Sequence, residues 1–210
     1  MSGNSHYFTA SPEAESRPRS VHLKVRGVEL EILTDSGVFA KRGLDFGTRV
    51  LLETVTLPPQ AVVVDLGCGY GVVAAVLGRV YPESRWTLLD VNERAVALAQ
   101  RNVRLGDRAR VLVSDGFAAV PDLRADAVLL NPPIRAGKAV VYRLFAESAE
   151  HLRPDGALWV VIHKKHGALS ARERLAAWFG DVALAERESG YHVFCCRHPR
   201  AERTNSDVLT

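Results

Sequence analysis

The sequence predicts an α/β fold: a doubly wound, mostly parallel seven-stranded sheet with a C-terminal antiparallel hairpin, plus a small N-terminal β-hairpin extension. Three observations predict it. From residue 61 onward, short apolar runs alternate with amphipathic segments, as parallel βαβ units require. The first run leads directly into a glycine-rich turn, and the last two runs are separated only by Glu188, Ser189 and Gly190, which favours a tight hairpin.

The elements follow in a regular order. Ahead of the main fold, "VHLKVRGVELEIL" alternates apolar and polar residues and predicts the hairpin, and "FGTRVLLETV" has helical spacing. The main fold begins with strand "AVVVDL", helix "GVVAAVLGRVY", strand "WTLLD", helix "ERAVALAQRNVRL" and strands "RVLVSD" and "ADAVLLN". It continues with helix "KAVVYRLFAESAEHL", strand "GALWVVIH", helix "ARERLAAWFG" and hairpin strands "VALAER" and "YHVFCCR". Because ligands of such sheets bind at the carboxyl ends of the strands, we expect functional residues there.

The length of 210 residues and the hydrophobic fraction of 47% suit one globular domain with small additions. We expect four segments: a flexible arm at 1–20, the hairpin and helix at 21–60, the main domain at 61–197 and a polar tail at 198–210.

Charge, hydropathy and cysteine content bear on whether the protein binds nucleic acid, enters a membrane, is secreted or holds a metal. The formal net charge is +3 without a long block of one sign, so charge alone does not indicate a nucleic-acid partner. No apolar run approaches the roughly 20 residues of a membrane span, and the start of the chain has no apolar segment typical of a signal peptide, so we expect a cytoplasmic protein. Cys68, Cys195 and Cys196 lack metal-ligand spacing, and we expect reduced thiols and no metal.

The glycine-rich turn "VVVDLGCGYG" predicts a nucleotide site. Gly67, Gly69 and Gly71 stand where the backbone must turn tightly and let a ligand approach. A nicotinamide site favours GxGxxG, but Val72 occupies its last position, and no Lys-Ser or Lys-Thr of a phosphate-binding loop follows. The expected ligand therefore has no polyphosphate.

Acidic residues end the next two strands. Asp90 lies about 20 residues beyond the glycines, where a carboxylate can bind both hydroxyls of a ribose, and Asn92 can cap the following helix. Asp115, followed by Gly116 and Phe117, is placed to bind an adenine amino group while the phenyl ring packs on the base. The alternative is that each aspartate is an ordinary turn or cap residue.

The motifs "DLGCGYG", "LLDVNERAV", "SDGF" and "NPPI", in this order within residues 61 to 196, resemble those of class I S-adenosylmethionine-dependent methyltransferases. The resemblance implies a Rossmann-like methyltransferase domain and S-adenosylmethionine as cofactor. It implies that the cofactor-binding residues are Asp65, Gly67, Cys68, Gly69, Asp90, Val91, Asp115, Gly116, Phe117 and Asn131.

The tetrapeptide "NPPI" ends the fourth strand. A planar amine needs acceptors for its hydrogens if its nitrogen is to become tetrahedral, and an Asn oxygen and a free carbonyl are such acceptors. Proline fixes its own φ and restricts the residue before it, so Pro132 and Pro133 are expected to keep the carbonyls of Asn131 and Pro132 free. The alternative is a plain strand-ending turn. In the resembled family, the motif implies methylation of exocyclic or amide nitrogens, with Asn131, Pro132 and Pro133 as catalytic residues.

A closer resemblance links the chain to the small-subunit ribosomal RNA guanine-N2 methyltransferases, in their catalytic half and single-domain relatives. Its carriers, within residues 6 to about 196, are "HYFTASPEAESRP", "LTDSGVFAKRGLDFGTR", "NPPIRAGK" and "WVVIHKKHGA". These residues correspond to the catalytic half of the two-domain members, and no part of this sequence resembles their N-terminal pseudo-catalytic domain. Asp45 and Gly47 resemble the segment that binds the cofactor's carboxypropyl group, although Asp45 is equally suited to cap the helix that begins near Phe46.

The substrate side is expected to combine apolar and basic residues. Ile134 stands where many amine methyltransferases have an aromatic residue, so clamping of the base is assigned to Phe39 or another aromatic. Basic residues near the strand ends suit an RNA backbone, although they can equally be ordinary solvated charges. The expected substrate-binding residues are Phe39, Lys41, Ile134, Arg135, Lys138, Lys164 and Lys165.

The leading hypothesis is therefore methylation of guanine N2 in 16S ribosomal RNA, with ribosomal RNA or a small ribosomal subunit as partner. The enzymatic alternative is another planar nitrogen: adenine N6 in DNA or RNA, or a glutamine amide in a protein. An alternative of another class is a non-catalytic RNA-binding module that keeps a methyltransferase fold.

Overall fold

A computed structural model describes residues 15–38 and 43–200. The expected base-clamping Phe39 and the expected RNA-binding Lys41 lie outside the described residues, as do most of the N-terminal arm and the tail from residue 201. Within the described ranges, no helix is long and apolar enough to cross a membrane.

The main sheet has seven strands, as predicted. These strands are β3 (Val62–Leu66), β4 (Arg85–Asp90), β5 (Ala109–Val113), β6 (Ala125–Leu130), β7 (Leu152–His163), β8 (Phe179–Glu188) and β9 (Tyr191–Pro199). Their order across the sheet is β5-β4-β3-β6-β7-β9-β8, with β3 to β7 parallel and β9 antiparallel to both of its neighbours. The chain moves outward from β3 to β5 and then returns to pair β6 on the other side of β3. This reversal creates the crevice at which doubly wound sheets bind ligands.

Helices cover both faces of the sheet. They are α1 (Phe46–Thr54), α2 (Val72–Val80), α3 (Glu93–Asn102), α4 (Lys138–His151) and α5 (Ala168–Trp178). Residues of α1, α2 and α3 share one apolar cluster, and residues of α4 and α5 share a second. Consecutive strand residues alternate between these clusters: Val63 belongs to the first and Val64 to the second, and both are fully buried. This burial on both faces explains why the inner parallel strands β3, β4 and β6 are continuous apolar runs, whereas the edge strand β5 is partly exposed.

The N-terminal hairpin is β1 (Arg19–Val25) paired with β2 (Val28–Thr34), as the alternation predicts. Its two-residue turn has positive φ at Arg26 (51°) and Gly27 (75°), the conformation of a tight hairpin turn. The Arg26 guanidinium donates hydrogen bonds to the carbonyls of Leu52 at 2.9 Å and Val55 at 2.6 Å, at the carboxyl end of α1. The hairpin is thereby attached to the helix that reaches the crevice.

Candidate active site

A cavity of about 780 Å³ opens at the carboxyl ends of the parallel strands. Its size is typical of small-molecule sites, and the glycine turn after β3 and the NPPI turn after β6 both line it. The two motifs that the sequence singles out therefore share one chamber.

The glycine turn leaves open space above the backbone on one side of this cavity. Gly67 and Gly69 have φ of 71° and 54°, and a Cβ at either position would meet nothing within 4 Å. The amides of Gly67 and Cys68 donate to the carbonyl of Leu89 at 2.8 and 3.0 Å, which fixes the turn against β4. Cys68, which the motif resemblance assigns to cofactor binding, is buried and also lines the cavity. A ligand can thus approach the backbone closely here.

Asp90 is held with both carboxylate oxygens at the cavity wall. One oxygen accepts the amide hydrogen of Gly69 at 2.8 Å and the other that of Asn92 at 2.9 Å. Burial raises the pKa of Asp90, and the two backbone hydrogen bonds oppose that rise. Asn92 caps α3 as predicted, accepting from the amide of Ala95 at 3.2 Å, and Val91 between them also lines the cavity. The carboxylate is oriented while its oxygens keep further lone pairs for a ligand.

Asp65 carries an unpaired atom. Its Oδ2 is buried and has no hydrogen-bond partner among the described residues, and the side chain lines the cavity. Burial, and then the charge of Asp90, raise the pKa of Asp65 to about 7. A buried acceptor without a partner at a cavity wall is suited to a ligand that brings a positive charge or a donor.

On the wall after β5, an arginine of α4 binds the acidic residue that the sequence analysis singled out. Asp115 lines the cavity but accepts a 2.6 Å hydrogen bond from Arg143 of α4, which also binds Glu147 at 2.7 Å. These contacts, Asp115 first, raise the pKa of Arg143. Gly116 also lines the cavity, and a Cβ there would meet the Glu147 carboxylate.

Phe117 does not line the cavity, contrary to the expectation that it packs on the adenine. Its ring is 2% exposed and stacks on His151 with centroids 4.0 Å apart. The ring lies inside the apolar cluster between the sheet and α4. In this structure it packs in the core and forms no part of the cavity wall.

Asn131 is oriented by the start of α1. Its amide nitrogen donates to Thr48 Oγ1 at 2.9 Å and to Asp45 Oδ2 at 3.2 Å. Asp45 also caps α1 by accepting from the amide of Thr48 at 3.0 Å, so it lines the cavity and caps the helix at once. Both amide hydrogens of Asn131 are used, and no described residue donates to its Oδ1. The side chain is left with one free group, an acceptor at the cavity.

The two prolines form a local turn. The carbonyl of Pro132 accepts from the amide of Ile134 at 2.9 Å, and Pro133 has φ −74° and ψ 77°, as in an inverse γ-turn. The carbonyl of Pro133 accepts from Ala136 at 2.9 Å. The Pro132 carbonyl thus stays outside any helix or ladder, as expected, but it is not wholly free, because the three-residue turn binds it. One lone pair of that carbonyl is used and the other remains.

The expected substrate residues divide into two groups. Ile134 and Arg135 line the cavity. Lys138 instead lines a separate cavity of about 30 Å³ beside α5, and Lys164 and Lys165 are exposed in the turn after β7, off the wall.

Several wall residues were missed by sequence interpretation. Thr48 follows Asp45 by one helical turn, a spacing that favours a shared face and was available as a signal. Tyr191, His163 and His166 also line the cavity. Gly47 does not line it: a Cβ there would lie 2.6 Å from Tyr191 Cε1, so this glycine makes room for the tyrosine ring.

Comparison with known proteins agrees with this geometry. Residues 29–195 match the family model of the methyltransferase small domain. The uncharacterised protein YbxB of Bacillus subtilis is 38% identical over 192 residues, which cover 90% of this chain and 96% of YbxB. Ribosomal RNA large subunit methyltransferase G of Pseudomonas putida is 38% identical over 86% of this chain and 50% of its own length. Ribosomal RNA small subunit methyltransferase C of Pseudomonas entomophila is 37% identical over 88% and 57%. The chain thus spans about half the length of these two relatives.

Among solved structures, a T. thermophilus 16S rRNA N2 methyltransferase in complex with AdoMet and guanosine has a TM-score of 0.76 at 24% identity, covering 86% of this chain and 50% of that one. A methyltransferase from Pyrococcus furiosus has a TM-score of 0.60 at 22% identity, covering 72% and 81%. These likenesses confirm the fold, and AdoMet is the cofactor that the motifs predict. Because the family model matches most of its length, the chain belongs to the methyltransferase small domain family.

Proposed function

We propose that this protein is an S-adenosylmethionine-dependent methyltransferase of ribosomal RNA, acting on an exocyclic base amine, most specifically guanine N2 in the 16S RNA. The observation that carries the proposal is Asn131, whose amide nitrogen is tied to α1 while its oxygen stays free beside the glycine turn. This places an acceptor for an amine hydrogen in the chamber that suits the cofactor.

The cofactor side of the cavity fits S-adenosylmethionine. Gly67 and Gly69 leave space above the backbone, and the fixed oxygens of Asp90 suit two ribose hydroxyls. The unpaired oxygen of Asp65 suits the ammonium of the methionine part. When bound, the cofactor supplies an electrophilic methyl group on a sulfonium.

The residues of the chain position the amine. Asn131 Oδ1 accepts one amine hydrogen, and the remaining lone pair of the Pro132 carbonyl is the second acceptor. Holding both hydrogens favours a tetrahedral nitrogen whose lone pair points away from them. We assign no general base, and the surplus proton leaves to water after transfer.

Ribosomal RNA is favoured over other substrates by the names of the relatives and by the exposed Lys164 and Lys165. Guanine N2 rests on the motif resemblance and on the T. thermophilus neighbour. One relative is named for the large subunit, so the 23S RNA is the nearest alternative target. Adenine N6 and a glutamine amide would fit the same acceptors. The intact Asp65, Asp90 and Asn131 argue against a non-catalytic RNA-binding module.

The proposal is tested with labelled donor. The purified protein and radiolabelled S-adenosylmethionine are incubated separately with small subunits, large subunits, naked ribosomal RNA, DNA and total protein. Digestion to nucleosides and mass spectrometry are expected to find N2-methylguanosine in small-subunit RNA. Label found only in protein would refute methylation of a base amine. Label found in the 23S RNA would show that the substrate is the large-subunit RNA and not the 16S RNA.

Asn131→Ala tests the residue that carries the proposal. Loss of the acceptor should lower kcat at least about a hundredfold, the size of effect seen when a preorganised hydrogen-bonding group is removed. Donor affinity, measured by calorimetry, should stay within a few fold because Asp65 and Asp90 are unchanged. An equal loss of turnover and donor affinity would show that Asn131 binds the cofactor instead.

A further inference from the structure

An aromatic pair stands on the cavity wall at the junction of β7 and β9. His163 and Tyr191 are directly opposite each other in this antiparallel pair, so their side chains lie on the same face of the sheet. Their ring centroids are 4.7 Å apart, the rings are nearly perpendicular at 79°, and both line the cavity. The neighbouring His192 points to the other face, where its ring meets Phe194.

The pair is held from several sides. The amide of Lys164 donates to the carbonyl of Gly190 at 2.7 Å, which joins the turn after β7 to the hairpin turn before β9. The amide of Lys165 donates to His163 Nδ1 at 3.1 Å, which assigns the proton of the neutral ring to Nε2. Gly47 gives Tyr191 its space. An aromatic surface fixed in advance costs little entropy when a base binds.

We propose that the ring of Tyr191, supported by His163, is the surface on which the target base stacks. The inference rests on the proposed function and specifies how its site holds a planar base. Ile134 is aliphatic and lines the same cavity, so the NPPI turn itself supplies no aromatic face. Tyr191 supplies one from a different element.

The surroundings of the pair favour a nucleotide over an uncharged planar group. Lys164 and Lys165 are exposed on the turn that follows His163 and are available to the phosphates beside a stacked base. A Cβ at Gly47 would lie 2.6 Å from Tyr191 Cε1 and 3.2 Å from Asp45 Oδ2, which places the ring near the carboxylate that orients Asn131. A base stacked there has its edge near the proposed amine acceptors.

The test measures stacking without turnover. The probe is 2-aminopurine riboside monophosphate, which has an exocyclic amine at position 2 and loses fluorescence when it stacks. It is titrated against protein saturated with S-adenosylhomocysteine. Wild type and Tyr191→Phe should quench the probe with similar affinity, whereas Tyr191→Leu should bind it at least about fivefold more weakly, the lower end of base–aromatic stacking. His192→Leu, which removes a ring from the opposite face of β9, should behave as wild type.

Quenching that is unchanged in Tyr191→Leu, or absent in wild type, would overturn the inference. Gly47→Ala is the second variant. It keeps the tyrosine but displaces its ring, and it should lower the affinity for the probe, as Tyr191→Leu does. Binding of S-adenosylhomocysteine by each variant shows that the cavity is folded. Because no methyl group is transferred, this result is independent of the labelled-donor experiment, which alone decides the proposed function.

Discussion

At the scale of single residues, the site depends on how α1 and β6 meet. An asparagine amide can be placed in either of two flips. The Asp45 carboxylate can only accept, and the Thr48 hydroxyl hydrogen is donated to Asp45, so both residues bind the nitrogen of Asn131 and not its oxygen. The Thr48 hydroxyl donates to Asp45 at 3.3 Å and accepts from Asn131, so the three side chains form one connected network. Position 45 caps a helix and fixes the candidate catalytic amide at the same time.

Thr48→Val tests this network. Valine keeps the shape but removes the hydroxyl, so Asn131 retains only the longer bond to Asp45 and its oxygen loses a fixed direction. We expect kcat for RNA to fall roughly tenfold, about 1.4 kcal/mol and within the range of one hydrogen bond, with donor affinity unchanged. Thr48→Ser keeps the hydroxyl and should retain turnover. If the serine variant is as slow as the valine variant, the methyl packing of Thr48 matters and the hydroxyl does not.

Asp65 predicts a pH dependence of donor binding. With its pKa raised to about 7, the carboxylate is ionised above that pH and can bind the donor's ammonium, and it is protonated below it. The affinity for S-adenosylhomocysteine, measured by calorimetry between about pH 6 and 8.5, should therefore fall as the pH decreases through 7. Asp65→Asn should bind S-adenosylhomocysteine weakly at every pH, and its affinity should show no change near pH 7. A step of equal size in that variant would assign the titration to another group.

The raised pKa of Asp65 gives the stability of the ligand-free protein the opposite pH dependence. Because the folded pKa of about 7 lies above the ordinary value of 3.8, the folded state binds the proton more tightly. The contribution of Asp65 to the free energy of unfolding is therefore complete below pH 3.8, falls as the pH rises above that value and is lost once the pH has passed through 7.

At the scale of elements, local patterns predicted more than long-range ones. Apolar runs predicted the inner strands because these are buried on both faces, and amphipathic spacing after the glycine turn predicted the helices between them. The start of β7 at Leu152 was missed, since Pro154 and Gly156 interrupt the apolar pattern there. The pairing of His163 with Tyr191 depends on register across the sheet, which no local window contains, so the aromatic wall could not be predicted.

The contacts of Arg26 attach the N-terminal hairpin to the end of α1. Its guanidinium binds two carbonyls at the end of α1, Leu52 and Val55, which the helix leaves without internal partners. Arg26→Ala should lower the free energy of unfolding by about 1.5–3 kcal/mol, the range for hydrogen bonds to charged groups. Arg26→Lys should recover part of the loss. Urea unfolding measures both, and an unchanged midpoint for the alanine variant would show that the bonds contribute nothing net.

At the scale of the whole molecule, cationic side chains lie together at one corner, around the turn after β7 and the start of β9, beside the cavity. After burial, nearby positive groups, Arg187 first and then Lys164, lower the pKa of His192, so both of these cations lie close to that ring. Lys165 extends the group along the turn after β7. The modest net charge of +3 conceals this local excess, which is why composition did not indicate an RNA partner while the motif positions did.

This corner should determine the salt dependence of RNA binding. Each cation that neutralises a phosphate releases a counterion, so log Kd changes with log salt in proportion to the number of contacts. The double variant Lys164→Ala/Lys165→Ala should reduce that slope by about 1.4 for single-stranded RNA. The matched control is Arg17→Ala/Lys24→Ala, which removes two cations that pair with Glu15 and Glu29 and do not line the cavity. Fluorescence anisotropy of a labelled single-stranded RNA at several salt concentrations measures both slopes. If the two double variants have equal slopes, the RNA backbone follows another path across the surface, and the cations beside Tyr191 are ordinary solvated charges.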